Sequence, residues 1–153
     1  MASKLAAAKI ASWSGVRTVI ADATRDGVMV DACDGVAGVG TVVLPRKANL
    51  GARRLWIAFA VGSSGRVTVD DGARRALEER RVSLLPAGVV AVDGTYEAGS
   101  AVEVCDPSGS VFAKGIVRHD SVILRANAGR RTGDLPDGMA HEAIHADDLV
   151  VLP

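Results

Sequence analysis

The stretch from residue 66 to residue 109 constrains the fold of this 153-residue chain more than any other. Val67 and Val69 alternate with polar neighbours, which is typical of a half-buried strand. Asp70 or Asp71 can cap a helix directly after that strand, because a carboxylate accepts hydrogen bonds from the free N–H groups of a first turn. Apolar residues then recur at helical spacing and are expected to face a core, at positions 73, 76 and 77. The pattern predicts a strand that leads directly into an amphipathic helix.

Further short strands follow this helix. Apolar or alternating runs predict them, at residues 89–92, 102–104, 111–117, 139–144 and 149–152. Turn-forming residues separate them, at positions 83–88, 93–94 and 106–109. We expect a hairpin between residues 94 and 99, a bulge or close approach at Gly115, and a helix over residues 121–128. This part of the chain is therefore expected to be an α+β, mostly β domain.

The first 45 residues show a different pattern. Helices are predicted over residues 2–13 and 28–34, and short strands over residues 17–21 and 40–44. The first strand is rich in β-branched residues and is expected to be buried on both faces, as in an α/β layered sheet. Two strands are too few for a complete doubly wound sheet. The burial that this sheet needs is expected to come from another chain or from absent residues. Residues 46–65, which contain a Gly/Ser cluster, are expected to form a connecting segment.

Composition argues against several classes of protein. The 18 basic and 18 acidic side chains balance, so no net field favours nucleic acid or a membrane as the dominant partner. Only 3% of the residues are aromatic, which leaves few platforms for base stacking. No apolar run reaches the roughly 20 residues of a membrane span, and no signal-peptide pattern opens the chain. We therefore expect a cytoplasmic protein without a membrane partner, in which Cys33 and Cys105 stay reduced.

Four segments, in order and at similar spacing, resemble the C-terminal PUA domain of glutamate 5-kinases, where PUA denotes a small RNA-binding barrel. They are VDDGARRAL at residues 69–77, SLLPAGV at 83–89, the region 94–99, and IHADDLVVL at 144–152. Residues 1–23 resemble the end of that family's catalytic domain. The resemblance implies three parts, which are a remnant of the amino-acid-kinase domain at 1–45, a connecting segment at 46–65, and a PUA-type β pseudo-barrel with a short helix at 66–153.

The family transfers the γ-phosphate of ATP to the side-chain carboxylate of L-glutamate, the first step of proline biosynthesis. It works with Mg²⁺ and is commonly oligomeric. The resemblance therefore implies the C-terminal portion of a glutamate 5-kinase, expected to be inactive alone and to bind neither ATP nor Mg²⁺ by itself. The implied partners are RNA, through the PUA domain, and either the missing catalytic segment or further copies of the chain. A free-standing PUA-type RNA-binding module is the alternative.

The first four residues are the candidate nucleotide site. In the family, a Gly-Gly-Met-x-x-Lys stretch at this point lines the nucleotide phosphates. Its last four positions are matched by Met1, Ala2, Ser3 and Lys4. The resemblance thus implies nucleotide binding here and a catalytic phosphate contact for Lys4, although the two glycines that bring a backbone close to phosphate are absent. From the residues alone, Lys4 is a solvated lysine at the start of a helix.

Arginines on the predicted helix are the candidate RNA contacts, because guanidinium groups bind phosphate. They are Arg74, Arg75, Arg80 and Arg81. Glu78 and Glu79 are interspersed with them, so an ordinary solvated helix face is the competing interpretation. Other arginines are available elsewhere in the chain, at positions 53, 54, 118, 125, 130 and 131.

The sequence HEAIH formally matches the HExxH zinc motif. His141 and His145 would share one face of a helix, but they fall in a predicted strand, where residues four apart lie about 13 Å from each other. The HxDDL tail of the family explains His145 better, and Asp147 and Asp148 are expected to form a turn before the last strand. No metal site is therefore predicted.

Overall fold

The computed structural model describes residues 1–46 and 50–152, and the chain divides into two compact units, Met1–Leu55 and Trp56–Pro153. We call them unit 1 and unit 2. Residues 47–49, near the start of the expected connecting segment, lie outside the described residues. The expected three-part organisation, with bounds at 1–45, 46–65 and 66–153, stays a prediction.

Unit 1 contains a ribbon of two strands and short helices. Its described elements are α1 (Ala2–Trp13), β1 (Thr18–Ala21), α2 (Val28–Asp34), β2 (Gly40–Val43) and α3 (Ala52–Leu55). The two strands pair antiparallel, with Thr18 opposite Val43 and Ala21 opposite Gly40. The predicted helices and strands are confirmed. The expected burial of the first strand on both faces is wrong, because all its residues are half-buried in a ribbon that has no third strand among the described residues.

Unit 2 contains a five-stranded sheet. Its strands are β3 (Gly65–Val69), β4 (Val89–Gly94), β5 (Ala101–Cys105), β6 (Val111–Val117) and β7 (Ile144–Val151). The order across the sheet is β4-β3-β5-β6-β7, and every neighbouring pair is antiparallel except β3 with β5. Helix α4 (Asp71–Arg80) follows β3, and helix α5 (Ser121–Asn127) follows β6. Strand β3 and helix α4 therefore confirm the predicted strand that leads directly into an amphipathic helix.

The expected hairpin between residues 94 and 99 is wrong. Strands β4 and β5 are not neighbours, because β3 lies between them and pairs with both. Asp93 and Gly94 remain within β4, where they lie opposite Arg66 and Gly65. A local Asp-Gly signal cannot reveal this arrangement, since strand order is determined by which side chains the whole sheet buries.

Leu84 closes the sheet into a pseudo-barrel. Its N–H donates to the carbonyl oxygen of Ile144 at 2.9 Å, and its carbonyl oxygen accepts from the N–H of Ala143 at 2.8 Å. The chain then passes through the 3₁₀ turn Pro86–Gly88 into β4, the strand at the opposite edge of the sheet. Side chains from the strands and both helices fill the interior, among them Val67, Leu77, Val104, Val117 and Leu124. The predicted PUA-type β pseudo-barrel with a short helix is confirmed.

The last strand differs from its prediction. Residues 139–143 are not a strand, and residues 144–151 form one strand instead of a turn followed by a strand. Gly115 lies opposite Leu149 while Val117 lies opposite Ile144, so residues 145–148 bulge out against a single residue of β6. The bulge holds the two aspartates that were expected to form a turn. It also confirms the close approach at Gly115, where a Cβ atom would lie 2.7 Å from Cγ2 of Ile144.

A short π-helix, Trp56–Ala60, begins unit 2 and contacts β6 and β7. Ile57 is fully buried, and the Lys114 Nζ of β6 donates to the carbonyl oxygen of Val61. These contacts attach residues 56–61 to the barrel. Across residues 1–46 and 50–152, no helix has both the length and the apolar character needed to cross a bilayer.

Candidate nucleic-acid interface

Helix α4 is held at its start by a side-chain cap. Asp70 has an extended backbone, and its Oδ1 accepts from the N–H of Ala73 at 2.7 Å. The sequence allowed either Asp70 or Asp71 as the cap of this helix, and the structure shows that it is Asp70. Leu77 is almost completely buried on the inner side of the helix. The cap and this apolar anchor together fix the orientation of the arginines on α4.

A turn made of small residues packs against α4. The N–H of Asp70 donates to the carbonyl oxygen of Gly88 at 3.0 Å, so the turn and the start of the helix are linked directly. A Cβ atom at position 88 would lie only 2.6 Å from the Cβ of Ala73. Glycine is therefore required at 88 for this close packing.

A groove of about 370 Å³ lies between α4 and this turn. It is lined mainly by small or apolar side chains, from residues 70, 72, 73, 76, 77, 82–85, 87 and 88. We call it the α4 groove. Val82 and Leu85 are partly exposed along it. Such a surface can receive a flat or apolar group, while polar contacts have to come from residues around it.

The structure separates the four predicted arginines. Arg74 donates from Nη1 to Asp106 Oδ2 at 2.6 Å and from Nε to Glu78 Oε1 at 3.2 Å, and its guanidinium lies 5.3 Å from the centre of the Phe112 ring. These contacts join α4 to the turn between β5 and β6. Arg74 is thus engaged within the protein, which makes it the least available of the four for phosphate.

Asp106 is the centre of that turn. Its Oδ1 accepts from the hydroxyl of Ser108 at 2.6 Å and from the N–H groups of Ser108 and Ser110 at 2.9 Å each. The Ser108 hydroxyl is the largest of the contacts that hold the pKa of Asp106 below its ordinary value, and Arg74 contributes in the same direction. The charged carboxylate that pairs with Arg74 therefore persists through the neutral range.

Arg75, Arg80 and Arg81 are exposed, unlike Arg74. Arg80 lies four residues after Ala76 and three after Leu77, so it continues the row of side chains that lines the α4 groove. Arg75 lies three residues after Gly72, which also lines the groove. Arg75 Nε has one long contact of 3.4 Å to the Asp71 carbonyl oxygen, and neither Arg80 nor Arg81 has a side-chain partner among the described residues. RNA binding by these arginines stays a prediction.

A second basic segment adjoins the same turn. The N–H of Gly129, just after α5, donates to the carbonyl oxygen of Pro86 at 2.8 Å. The exposed Arg130 and Arg131 follow immediately. The sequence offered them only as two of many scattered arginines, because a contact over more than 40 residues leaves no local signal.

The predicted nucleotide residues are all exposed. Met1 is the N-cap of α1 without a side-chain cap, and the N–H of Lys4 donates to its carbonyl oxygen at 3.1 Å. Ala2, Ser3 and Lys4 form the first turn. Within residues 1–46 and 50–152, no group of three or more His, Cys, Asp or Glu side chains is placed to hold a metal ion. What this chain binds of ATP or Mg²⁺, including nucleotide binding at Lys4, stays a prediction.

The histidine motif falls in two different local structures. His145 lies in the bulge of β7, where its Nδ1 accepts from the N–H of Asp147 at 3.2 Å. His141 lies before β7, outside any strand or helix. Neither belongs to a metal-binding group among the described residues.

Comparison with known proteins agrees with this architecture. The PUA domain family matches residues 65–137, most of unit 2. The glutamate 5-kinase of Mycolicibacterium vanbaalenii is 41% identical over 152 residues, which cover 99% of this chain and 40% of that enzyme. The glutamate 5-kinase of Mycolicibacterium gilvum is 44% identical over 152 residues, with the same two coverages. The chain thus spans about 40% of the length of the curated relatives that it matches.

Among solved structures, this chain is similar to a PUA domain from Aeropyrum pernix K1 whose crystal structure was determined as a tartrate complex. It is 27% identical over 61% of this chain and 49% of its own length, with a TM-score of 0.41.

Proposed function

Because this chain carries a PUA domain and is homologous to the C-terminal part of glutamate 5-kinases, we propose that it serves as that part of an ATP-dependent glutamate 5-kinase. In this role it contributes to phosphorylation of the side-chain carboxylate of L-glutamate, the first step of proline biosynthesis. The observation that carries the proposal is the extent of the similarity, which includes unit 1 as well as the barrel.

A free-standing RNA-binding module explains less of the chain. The PUA family match begins at residue 65 and leaves the whole of unit 1 unaccounted for. The match to glutamate 5-kinases covers 99% of the chain. A module that acted only through its barrel would not need a preceding segment that is similar to a kinase.

The chain alone is expected to be inactive. Phosphoryl transfer needs positioned phosphates, a metal ion and an oriented acceptor. Lys4 is exposed in the first turn of α1, and the described residues contain no metal-binding group. The rest of the catalytic apparatus would therefore have to be supplied by a segment equivalent to the unmatched part of the relatives.

A chimaera tests this function. The matched 40% of the Mycolicibacterium vanbaalenii enzyme is replaced by this chain, and ADP release is followed with ATP, Mg²⁺ and L-glutamate. We expect glutamate-dependent turnover by the chimaera, and none by the chain alone.

Lys4→Ala tests the predicted phosphate contact in the same chimaera, with Lys9→Ala as a matched control on the same helix. We expect the first variant to lower kcat by about 10²–10³, as loss of a charge-stabilising donor does, and the second to leave it unchanged. A folded chimaera without turnover, beside an active parent enzyme, would overturn the proposed function.

RNA binding is the second candidate function, and the α4 groove with its exposed arginines favours it. Arg75 and Arg80 flank the groove without strong partners, while Glu78 is already paired with Arg74. Contacts to phosphate would dominate, because the chain has few aromatic side chains for stacking.

Filter binding of a structured RNA at two salt concentrations tests this second function. Arg75→Ala/Arg80→Ala is expected to weaken binding similarly for all sequences and to reduce the salt slope by about one per lost phosphate contact. Arg17→Ala/Arg25→Ala removes the same charge from unit 1 and is expected to have little effect. Equal losses in both double variants would indicate a nonspecific charge effect and remove the groove as the site.

A further inference from the structure

A pocket of about 640 Å³ lies in unit 2, between helix α5 and the loop of residues 136–140. It is lined by four residues of α5, by the five residues of the loop, and by Arg118 and His119, which lie between β6 and α5. We call it the α5 pocket. None of these residues lines the α4 groove. A volume of this size is typical of pockets that bind small molecules.

Hydrogen bonds fix the loop that forms one wall of the α5 pocket. The N–H of Met139 donates to the carbonyl oxygen of Pro136 at 3.1 Å, which folds the loop into a turn. Gly138 has the left-handed backbone that this turn requires, with φ of 80°. Nε2 of His119 contacts the carbonyl oxygen of Ala140 at 2.9 Å and thereby ties the loop to the chain just before α5. The pocket is therefore held open between two fixed walls.

Two buried polar side chains offer hydrogen-bond acceptors at the α5 pocket. They are His119 and Asn127, which are only 7% and 5% exposed. Because the Ala140 carbonyl oxygen can only accept, Nε2 of His119 carries the proton, and Nδ1 of the neutral ring is left as an acceptor. In the same way, Nδ2 of Asn127 donates to the carbonyl oxygen of Ile123 at 2.8 Å, which leaves Oδ1 as an acceptor.

Neither acceptor is used within the protein. Nδ1 of His119 and Oδ1 of Asn127 have no hydrogen-bond partner within residues 1–46 and 50–152. They are not sealed from solvent either, because the Tyr96 hydroxyl is the only fully enclosed side-chain polar atom without a partner in that part of the chain. Both residues line the α5 pocket, so a ligand there can reach them. A few such polar groups in a pocket determine how a ligand is oriented.

Two charges of opposite sign also line the α5 pocket. Arg118 and Asp137 are exposed, and neither side chain pairs with the other or with any other described residue. A guanidinium binds a carboxylate through charge-assisted hydrogen bonds, and a carboxylate binds an ammonium in the same way. Opposite charges that line one pocket without pairing favour a ligand that carries both charges itself.

The face of α5 toward the α5 pocket adds an apolar contact surface. Val122 and Ile123 line the pocket and are 68% and 42% exposed. Ala126 and Asn127 lie four residues later on the same face of the helix, and both also line the pocket. Met139 faces them from the loop wall. An apolar group bound here would remove the exposed valine and isoleucine from water, which favours binding.

We propose that the α5 pocket binds a small zwitterion with an apolar body, which is the chemistry of a large apolar amino acid or of a dipeptide of such residues. A primary ammonium has three N–H donors, and the pocket offers acceptors on three residues, His119, Asn127 and Asp137. The carboxylate of the ligand would pair with Arg118, and its apolar body would pack against α5. This site is separate from the α4 groove and does not depend on the proposed kinase function.

An NMR titration of the isotope-labelled full chain tests the site. The probes are L-leucine and L-leucyl-L-leucine, and the tighter binder of the two identifies the source of the ligand. We expect saturable shifts of the methyl signals of Val122 and Ile123 and of the side-chain amide of Asn127. L-serine carries the same charged groups without the apolar body, and we expect it to bind about tenfold more weakly or worse.

Analogues and variants test the two charges together. N-acetyl-L-leucine lacks the ammonium and isopentylamine lacks the carboxylate, so each is expected to bind about three- to tenfold more weakly than L-leucine. Arg118→Gln is expected to weaken binding of L-leucine by a similar factor and to leave binding of isopentylamine unchanged. Asp137→Asn is expected to weaken binding of both compounds, because both carry the ammonium.

Arg130→Gln and Asp134→Asn are the matched controls. Both side chains are exposed in unit 2 and carry the same charges, but neither lines the α5 pocket. We expect both variants to bind L-leucine like the wild type. All four substitutions are at exposed positions, and the backbone amide spectrum of each variant checks that the fold is retained.

The inference fails if neither L-leucine nor the dipeptide shifts the signals of the α5 pocket at the limit of its solubility, or if the shifts lie on another surface. It also fails if L-serine binds as tightly as L-leucine, or if Arg118→Gln weakens isopentylamine as much as L-leucine, because the guanidinium would then not bind a carboxylate. An inactive chimaera would count against the proposed function alone, since ligand binding is measured here without catalysis.

Discussion

Unit 2 and unit 1 use their apolar residues in opposite ways. Among the described residues, unit 2 buries twenty apolar side chains, whereas unit 1 buries three, although unit 2 is less than twice as long. Burial of a valine or leucine contributes about 1.5–3 kcal/mol relative to exposure. The barrel can therefore stabilise itself, while unit 1 has the composition of a core without the burial of one.

Topology explains the difference. The sheet of unit 2 has five strands, and Leu84 joins its last strand to the turn that begins its first edge strand. The ribbon of unit 1 has two strands and, in the part of the chain that is described, no such closure. A sheet that closes on itself buries one complete face, whereas a ribbon depends on what is laid over it.

The N-terminal ends of the helices also differ between the two units. Asp70 caps α4, and Asp120 caps α5 by accepting from the N–H groups of Val122 and Ile123 at 2.9 and 2.8 Å. In unit 1 neither Met1, at the start of α1, nor Gly27, at the start of α2, provides a side-chain cap. A cap contributes about 1 kcal/mol. The local signals for stability are thus concentrated where the packing is complete.

Hydrogen exchange gives the largest expected difference between the units. The amides of Val19 and Ile20 are expected to exchange with little protection, because the ribbon opens locally at low free energy. The amides of Val102 and Val104, in the centre of the barrel sheet, are expected to exchange only through global unfolding, which costs about 5–15 kcal/mol. Equal protection of the two pairs in the isolated chain would mean that the two units do not differ in local stability.

Truncation of buried and exposed side chains measures the same contrast in unfolding free energy. Leu77→Ala is expected to cost about 2–5 kcal/mol, because it leaves a cavity between α4 and the sheet. Val42→Ala, on the exposed ribbon, is expected to change stability by no more than about 0.5 kcal/mol. Urea denaturation followed by circular dichroism provides both values. A large cost for Val42→Ala would mean that unit 1 has a core of its own.

Added volume tests how tightly the barrel is packed. Gly115→Ala would place a Cβ atom 2.7 Å from Ile144 Cγ2 and 3.0 Å from the Asp148 carbonyl oxygen, and is expected to cost about 1–3 kcal/mol. Gly133→Ala is the control, because its Cβ atom would meet nothing within 4 Å and its backbone is not left-handed. Equal effects in the same denaturation experiment would indicate that the bulge of β7 adapts freely.

Features with a local cause were predictable from the sequence. The bounds of α1 and α2 follow from apolar periodicity and from glycines just after them, and the cap at Asp70 follows from its place between strand and helix. Features with a distant cause were not. The hairpin at residues 94–99 was wrong because β3 inserts between β4 and β5, and that pairing has no signal near residue 94.

The candidate site divides in the same way. The sequence placed four arginines on the predicted helix, but it could not separate Arg74 from the others, because the partner of Arg74, Asp106, lies 32 residues away. The α4 groove itself depends on the close packing of Gly88 on Ala73, and a hydrogen bond between Gly129 and Pro86 brings Arg130 next to the turn that borders the groove. Residue type therefore indicated the chemistry, and tertiary packing determined which residues remain free to use it.

Tyr96 carries the smallest expected effect on stability at neutral pH. It is the only tyrosine of the chain, so an alkaline titration of tyrosine probes unit 2 alone. Its side chain is buried, and its hydroxyl has no hydrogen-bond partner among the described residues. Burial raises its pKa to about 12 from an ordinary value of 10.0. The unfolded chain therefore releases this proton first. The resulting stability is complete below about pH 10 and is lost as the pH rises through about 12.

Tyr96→Phe separates this contribution from the titration of lysines, which is common to both proteins. We expect urea denaturation to show a steeper loss of stability for the wild type than for the variant between pH 10 and 12. At pH 7 the variant is expected to be as stable as the wild type or slightly more stable, since an unpaired buried hydroxyl is removed. Tyrosinate absorbance of the folded wild type that rises near pH 10 would show that Tyr96 is accessible to water. Unit 2 would then share the incomplete burial of unit 1, and the contrast between the two units would be weaker than their buried side chains indicate.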